Sequence, residues 1–181
     1  MKMADQQIIM AGFGGQGILS AGRILAYAGM LENKNVSWLP SYGPEMRGGT
    51  ANCNVIISDD VIGSPILNSA TTLIVMNGPS LDKFESYVES GGIIIKDSSL
   101  VQREPARTDV KVYGVPATET AFKMGNPTFA NIILLGKLIA LTNIVSKENF
   151  EIALRKTLPS KKHNLIPEEM KALEFGMQYE C

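Results

Sequence analysis

Six residues, Gly12-Phe13-Gly14-Gly15-Gln16-Gly17, constrain the fold of this chain more than any others. They stand between a short apolar run at 7–11 (QIIMA) and a stretch at 17–31 built mainly from Ile, Leu, Ala and Gly. That order predicts a strand, a tight turn and a helix. Residues without Cβ let the backbone turn sharply and approach a pyrophosphate at a helix N-terminus, where main-chain N–H groups do the binding. The string satisfies G-x-G-x-x-G, a weak pattern by itself in a chain with 17 glycines; its position between strand and helix strengthens it. Two readings stay open at this point: an anion cradle, or a turn that only permits close packing of helix on sheet.

A dinucleotide site makes one further demand. An Asp or Glu about 20 residues on, at the end of the second strand, should bond the ribose hydroxyls. Here that place holds Leu39-Pro40-Ser41-Tyr42, while Glu32 belongs to the end of the first helix and Glu45 lies deep in the next loop. A nicotinamide-type enzyme is disfavoured, and a phosphate-bearing ligand held by another loop remains open.

The remaining pattern alternates strands and helices. NVSWLP (35–40) reads as a strand stopped by Pro40, SYGPEMRGG (41–49) as a loop, and TANCNVIIS (50–58) as a strand. Asp59-Asp60 suggests a turn into a short edge strand at VIGSPI, followed by a buried strand at 72–77. Ser80 is placed to cap a helix over 81–90 that Gly91-Gly92 would close, with strands following at 92–99 and 109–117. Helices are expected after Thr118, over 129–142, after Ser146 and from Pro167. The expectation is an α/β fold: residues 1–181 as a single-domain three-layer sandwich, with a mainly parallel sheet and helices on both faces.

Chemistry is sparse. Basic and acidic side chains number 17 and 18, a net charge of -1, so no electrostatic footprint for nucleic acid exists. Neither a signal-peptide core nor a membrane span is legible, and a cytoplasmic location with Cys53 and Cys181 reduced is expected. His163, the sole histidine, sits in a basic Lys161-Lys162-His163 stretch and reads as a surface residue; Cys53 has no neighbouring histidine to activate it. No metal-binding spacing and no P-loop lysine occur, so no catalytic residue is assigned. Arg47, followed by two glycines and a strand, could grip phosphate or carboxylate through its guanidinium fork, with Tyr42 and Glu45 nearby. A solvated loop is the competing account.

Two helices carry almost no charge. Residues 18–31 contain Arg23 alone and 129–142 Lys137 alone, although a helix turns every residue by about 100° and so displays its whole circumference. Each by itself fits a central core helix equally well. Two in so small a chain predict apolar surface covered by another polypeptide.

AGFGGQGILSAGRILAYAG, then SYGPEMRGGTANCNVIIS, LIVMNGPSLDKF and GNPTFANIILLGKLI, taken in that order, resemble the gamma subunit of 2-oxoacid:ferredoxin oxidoreductases over nearly the whole chain. The resemblance implies an assembly that converts a 2-oxoacid and coenzyme A to acyl-CoA and CO2, with electrons passed to ferredoxin. Thiamine diphosphate, Mg and iron–sulfur clusters would be held by alpha and beta subunits and a ferredoxin-like subunit. The gamma component would help to form the coenzyme A site, with Gly12, Gly14, Gly15, Gln16 and Gly17 approaching the ADP phosphates and Arg47 as a further anchor. Ser41, Tyr42 and Glu45 would face partner subunits, and the isolated chain could pair with itself. Pyruvate, 2-oxoglutarate and ketoisovalerate all stay open as substrates. The alternatives are a free-standing Rossmann-type enzyme and an assembly module without a ligand.

Overall fold

The computed structural model describes residues 5–41 and 50–180. Its six strands are β1 (Gln6–Phe13), β2 (Asn35–Ser41), β3 (Thr50–Ser58), β4 (Ala70–Val75), β5 (Val88–Asp97) and β6 (Lys111–Val115), in the sheet order β2-β3-β1-β4-β5-β6. Pairing is parallel from β1 through β4 and β5 to β6, and β3 runs antiparallel to both neighbours, β1 and β2. Five strands therefore point one way, as a mainly parallel sheet requires.

Strand alternation divides the sheet between two cores. Ile8 and Met10 belong to the larger, with Ile24 and Leu25 of α1 (Ile18–Leu31) and Ile133 and Leu134 of α4 (Ala130–Thr142). Ile9 and Ala11 belong to the smaller, with Leu81 and Phe84 of α2 (Gly78–Phe84). Helices thus cover both faces, unequally. The larger core also takes in α3 (Ala117–Lys123), α5 (Lys147–Thr157) and α6 (Ile166–Gln178).

Of the two weakly charged helices, α4 is covered from inside the chain, whereas α1 leaves Ser20, Arg23 and Met30 exposed. Gly136 of α4 and Gly176 of α6 let these helices meet backbone to backbone: a Cβ on Gly176 would lie 1.8 Å from the Ile133 carbonyl oxygen. α4 is therefore sandwiched between the larger core and α6, and its lone cation is satisfied within the chain. Lys137 Nζ donates to the Tyr179 carbonyl at 2.8 Å and sits 5.2 Å from the Tyr113 ring centre. Arg23 of α1 donates to the Thr157 carbonyl at 2.9 Å, beyond the end of α5's own hydrogen bonding. For α4 the covering polypeptide expected from its sequence is the chain's own α6, a helix-on-helix layer that single-helix periodicity does not register; α1 keeps an exposed face, with Met30 59% exposed.

Four local expectations also change. Residues 61–66 form no strand, since Gly63 and Pro65 interrupt pairing there. Asn77, not Ser80, caps α2, accepting from the Ser80 amide at 2.7 Å, and α2 ends at Phe84. Gly91 and Gly92 lie inside β5: Gly91 takes φ +80° and donates to the Asp109 carbonyl, while a Cβ on Gly92 would come within 2.9 Å of the Thr71 carbonyl oxygen. They make a strand irregularity that the sequence reads as a helix stop. Thr118 does not cap α3, because Pro116 precedes the helix; the Thr118 amide instead donates to buried Asp97 at the end of β5, at 3.1 Å. Ser146 does cap α5, accepting from Asn149 N at 3.2 Å, and Pro167 stands in the first turn of α6.

Gly176→Ala is expected to destabilise the fold by about 1–3 kcal/mol, as overpacking does. Gly63→Ala, whose Cβ would meet nothing within 4 Å, should be close to neutral. Urea midpoints of the two variants check this.

Candidate functional site

β1 ends at Phe13 and α1 begins at Ile18, leaving four residues for the turn. Gly15 (φ +96°) and Gly17 (φ +76°) both occupy left-handed backbone, where a side chain is strained. The Gln16 amide donates to the Phe13 carbonyl at 3.2 Å and closes the turn. Its side chain then clamps two strand ends: Oε1 accepts from the Phe13 amide at 2.6 Å, and Nε2 donates to the Met76 carbonyl, just beyond β4, at 3.2 Å. Asn131, near the start of α4, donates to the Gln16 carbonyl at 3.0 Å. A Cβ on Gly17 would fall 2.2 Å from that Asn131 nitrogen.

This bracing sorts the sequence-derived site residues. Gly12 lies within β1, and the space of its missing Cβ is filled by Gln16 Oε1 at 2.6 Å and Ile18 at 3.1 Å. Gly12 makes room for the clamp. The Gln16 side chain is committed to Phe13 and Met76. Gly14 and Gly15 are exposed, and Gly17 opens α1. Ser41 is the last residue of edge strand β2, exposed and paired with Asn52. Tyr42, Glu45 and Arg47 lie outside the described residues.

The electrostatics of the turn favour an anion. α1 has no side-chain cap and no acidic residue in its first turn, so its leading N–H groups keep their positive end uncompensated. The turn also stands where the sheet order reverses, beside the carboxyl ends of parallel strands β1 and β4, the usual ligand position in open α/β sheets. Three depressions meet at it. One of about 230 Å³ lies toward α4 and α6, one of about 210 Å³ toward Met76 and Thr118, and one of about 210 Å³ toward Phe13 and Ala51.

Conventional catalytic groups are engaged elsewhere. Burial pushes the Cys53 thiol up to about 12, so it is no nucleophile near neutral pH. The His163 ring nitrogen Nε2 is 3.1 Å from the Leu158 carbonyl, on a half-buried side chain. Glu32 accepts from the Ser146 amide and hydroxyl, each at 2.6 Å, and from Asn149 at 2.8 Å, which pins α1 to α5 and removes it as a ribose ligand. Among the described residues no group of His, Cys, Asp and Glu could hold a metal ion, and no helix is long and apolar enough to cross a membrane.

The sequence pattern of one family, pyruvate ferredoxin/flavodoxin oxidoreductase, matches residues 7–179. This chain belongs to that family. It is 40% identical to the ketoisovalerate oxidoreductase subunit VorA of Methanothermobacter thermautotrophicus over 98% of its own length, but spans only 37% of that relative. It is 38% identical to the 2-oxoglutarate synthase subunit KorC of Methanocaldococcus jannaschii, covering 97% of this chain and 92% of KorC. Among solved structures, the gamma subunit of a keto/oxoacid ferredoxin oxidoreductase from Geobacter sulfurreducens superposes with a TM-score of 0.81 at 32% identity, covering 96% of each chain. The fold also matches 30% of a 2-oxoglutarate:ferredoxin oxidoreductase from Magnetococcus marinus (TM-score 0.85, 24% identity, 97% of this chain), a structure with 2-oxoglutarate, coenzyme A and succinyl-CoA bound. The family's relatives are oxidoreductase subunits, which agrees with the gamma-subunit resemblance and the α/β architecture read from the sequence.

Sequence reasoning passed over Glu169. It lies in the first turn of α6, is 7% exposed, and lines the larger depression together with Lys162 and the Gly15–Gly17 main chain. A signal existed: Ile166, Glu169, Met170 and Leu173 share the i, i+3, i+4, i+7 spacing of a buried face. Burial raises its carboxyl to about 7, with the Lys162 ammonium pulling the other way. The folded state therefore holds this proton to higher pH than the unfolded chain, whose carboxyl ionises near the usual 4.5. Its contribution to stability is full below that value and lost as pH rises through about 7, a difference of at most about 3 kcal/mol. Between about pH 5 and 7, stability should fall more in the wild type than in Glu169→Leu, measured by urea unfolding at stepped pH.

Proposed function

We propose that this chain is the gamma component of a multi-subunit 2-oxoacid:ferredoxin oxidoreductase and that it positions coenzyme A for acyl transfer. The overall reaction joins a 2-oxoacid and coenzyme A to give acyl-CoA and CO2, with the electrons released passing to ferredoxin. The observation that carries this reading is the uncapped start of α1 behind an exposed, left-handed glycine turn, in a chain of this family. Main-chain amides of Gly14, Gly15 and Gly17 are the groups that would face the ADP phosphates, and Gln16 would act by holding them in place through Phe13 and Met76. The Magnetococcus relative, whose structure contains coenzyme A, supports the ligand class.

The reaction's bond-making is assigned to partner subunits. Thiamine diphosphate supplies the carbanion chemistry on the 2-oxoacid, and Mg and iron–sulfur clusters belong with it in alpha, beta and ferredoxin-like subunits; no donor set for them occurs among the described residues. This chain's contribution is placement. Holding the thiol arm of coenzyme A in a fixed place would replace a bimolecular encounter with a positioned one, worth about 7–11 kcal/mol when alignment is complete. Ser41 on the exposed edge strand, with Tyr42 and Glu45 after it in sequence, is the segment proposed to meet the partners, and Arg47, further along the sequence, is proposed as a second phosphate anchor. A Rossmann-type nicotinamide enzyme is the weaker reading, because β2 ends in Ser41 and Glu32 is bonded to α5.

Gly14→Glu puts a carboxylate on an exposed turn residue. In the assembled enzyme it should raise KM for coenzyme A by about tenfold or more with kcat little changed. The complex should still elute intact on size exclusion. An unchanged KM with intact assembly would reduce the chain to an assembly module, and 2-oxoacid oxidation by the isolated chain would overturn the subunit reading.

A further inference from the structure

Packing does not account for Glu169. Its neighbours on the same helical face, Ile166, Met170 and Leu173, are buried hydrocarbons, and a leucine would complete that face. Instead the position holds a carboxyl 93% withdrawn from solvent, with Oε2 buried and lacking any hydrogen-bond partner among the described residues. Leaving such an oxygen unbonded is destabilising, and a bound ligand with a complementary group would recover that loss. The side chain lines the depression of about 230 Å³ that reaches the Gly15–Gly17 main chain, and Ile24, Ile132 and Leu158 supply apolar walls.

A molecule filling this space needs three properties. It must bring an anion to the start of α1, an apolar or flat body to the walls, and a hydrogen-bonding edge to the carboxyl. A 6-aminopurine nucleotide has all three. A neutral carboxyl offers one O–H donor beside one carbonyl acceptor, which match the ring-nitrogen acceptor and amino donor on that purine edge; an ionised carboxyl offers acceptors alone. We infer that Glu169 reads the adenine base of coenzyme A, donating to a ring nitrogen and accepting from the 6-amino group as a neutral acid. The inference rests on the coenzyme A reading above and adds to it a specificity-determining residue.

The surroundings suit that protonation state. Burial favours the neutral form up to about pH 7. Lys162, from the connection before α6, is the charged side chain sharing the depression with Glu169. Arg23 of α1 is committed to the Thr157 carbonyl, Lys137 of α4 to the Tyr179 carbonyl, and Lys147 and Arg155 of α5 to Glu174 and Glu151, while Lys156 of α5 is exposed. Glu168, beside it on α6, is exposed.

The test titrates the assembled enzyme with coenzyme A and with its analogue carrying unsubstituted purine, in which hydrogen replaces the 6-amine and the donor to the carboxyl is lost. Wild type should prefer the amino base by about tenfold, and its affinity for coenzyme A should weaken between about pH 6 and 8 as the acid ionises. Glu169→Gln keeps a donor beside an acceptor at every pH, so it should retain affinity and base preference while losing the pH dependence. Glu169→Leu should lose about tenfold in affinity for coenzyme A and its preference between bases, with thermal unfolding confirming that the fold persists. Equal wild-type affinity for the two bases, or an unaltered coenzyme A affinity in Glu169→Leu, would overturn the role of Glu169 and leave the coenzyme A reading standing. Failure of the wild-type assembly to bind coenzyme A would overturn both.

Discussion

The hydrogen bonds of one side chain organise the region on which the rest depends. Gln16 takes the Phe13 amide and the Met76 carbonyl, so it joins the ends of β1 and β4 at the point where the sheet order reverses. The clamp needs Gly12 beneath it, because any Cβ there would displace Gln16 Oε1. It also needs Gly15 and Gly17 in left-handed backbone, so that the chain can reverse within four residues and start a helix. Asn131 then fastens the turn to α4. Rigidity here has a chemical consequence: main-chain amides hold a fixed direction before any ligand arrives, which lowers the ordering cost of binding.

Behind the turn, the helices form two layers on one side of the sheet. α4 lies deep, its circumference closed by the larger core and by α6, and Gly136 and Gly176 bring the two backbones into contact. The same arrangement carries Glu169 from a surface-like Pro-Glu-Glu sequence to the wall of a depression beside the glycine turn. Close helix packing and the candidate ligand site are thus two results of one crossing. The chain supplies positioned amides and a buried carboxyl, and the Cys53 thiol and the His163 ring are engaged in packing or in contact with its own backbone.

Much of this was legible beforehand. An apolar run, a glycine turn and an apolar helix name their own order, since only glycine enters left-handed backbone without strain. Ser146 and Pro167 announced their helices because caps act within one turn of chain. Errors arose wherever a residue's partner is distant in sequence. Gly91 and Gly92 resembled a helix stop, yet they answer to Thr71 and Asp109 across the sheet. Thr118 resembled a cap, yet its amide is met by Asp97. The bare circumference of α4 suggested a missing polypeptide, and the chain's own α6 covers it.

By itself, the sequence determined the alternation of elements, the glycine turn, the scarcity of reactive side chains and the family, because each is carried by neighbours along the chain or by motif order. Only the tertiary structure decided that Gln16 is a brace, that Glu32 belongs to the start of α5, that α6 covers weakly charged α4, and that Glu169 Oε2 is buried beside the turn with no hydrogen-bond partner among the described residues. Those outcomes depend on which surfaces meet when loops close. Burial and hydrogen-bond satisfaction are properties of that meeting, and the order of residues specifies them only through the completed fold.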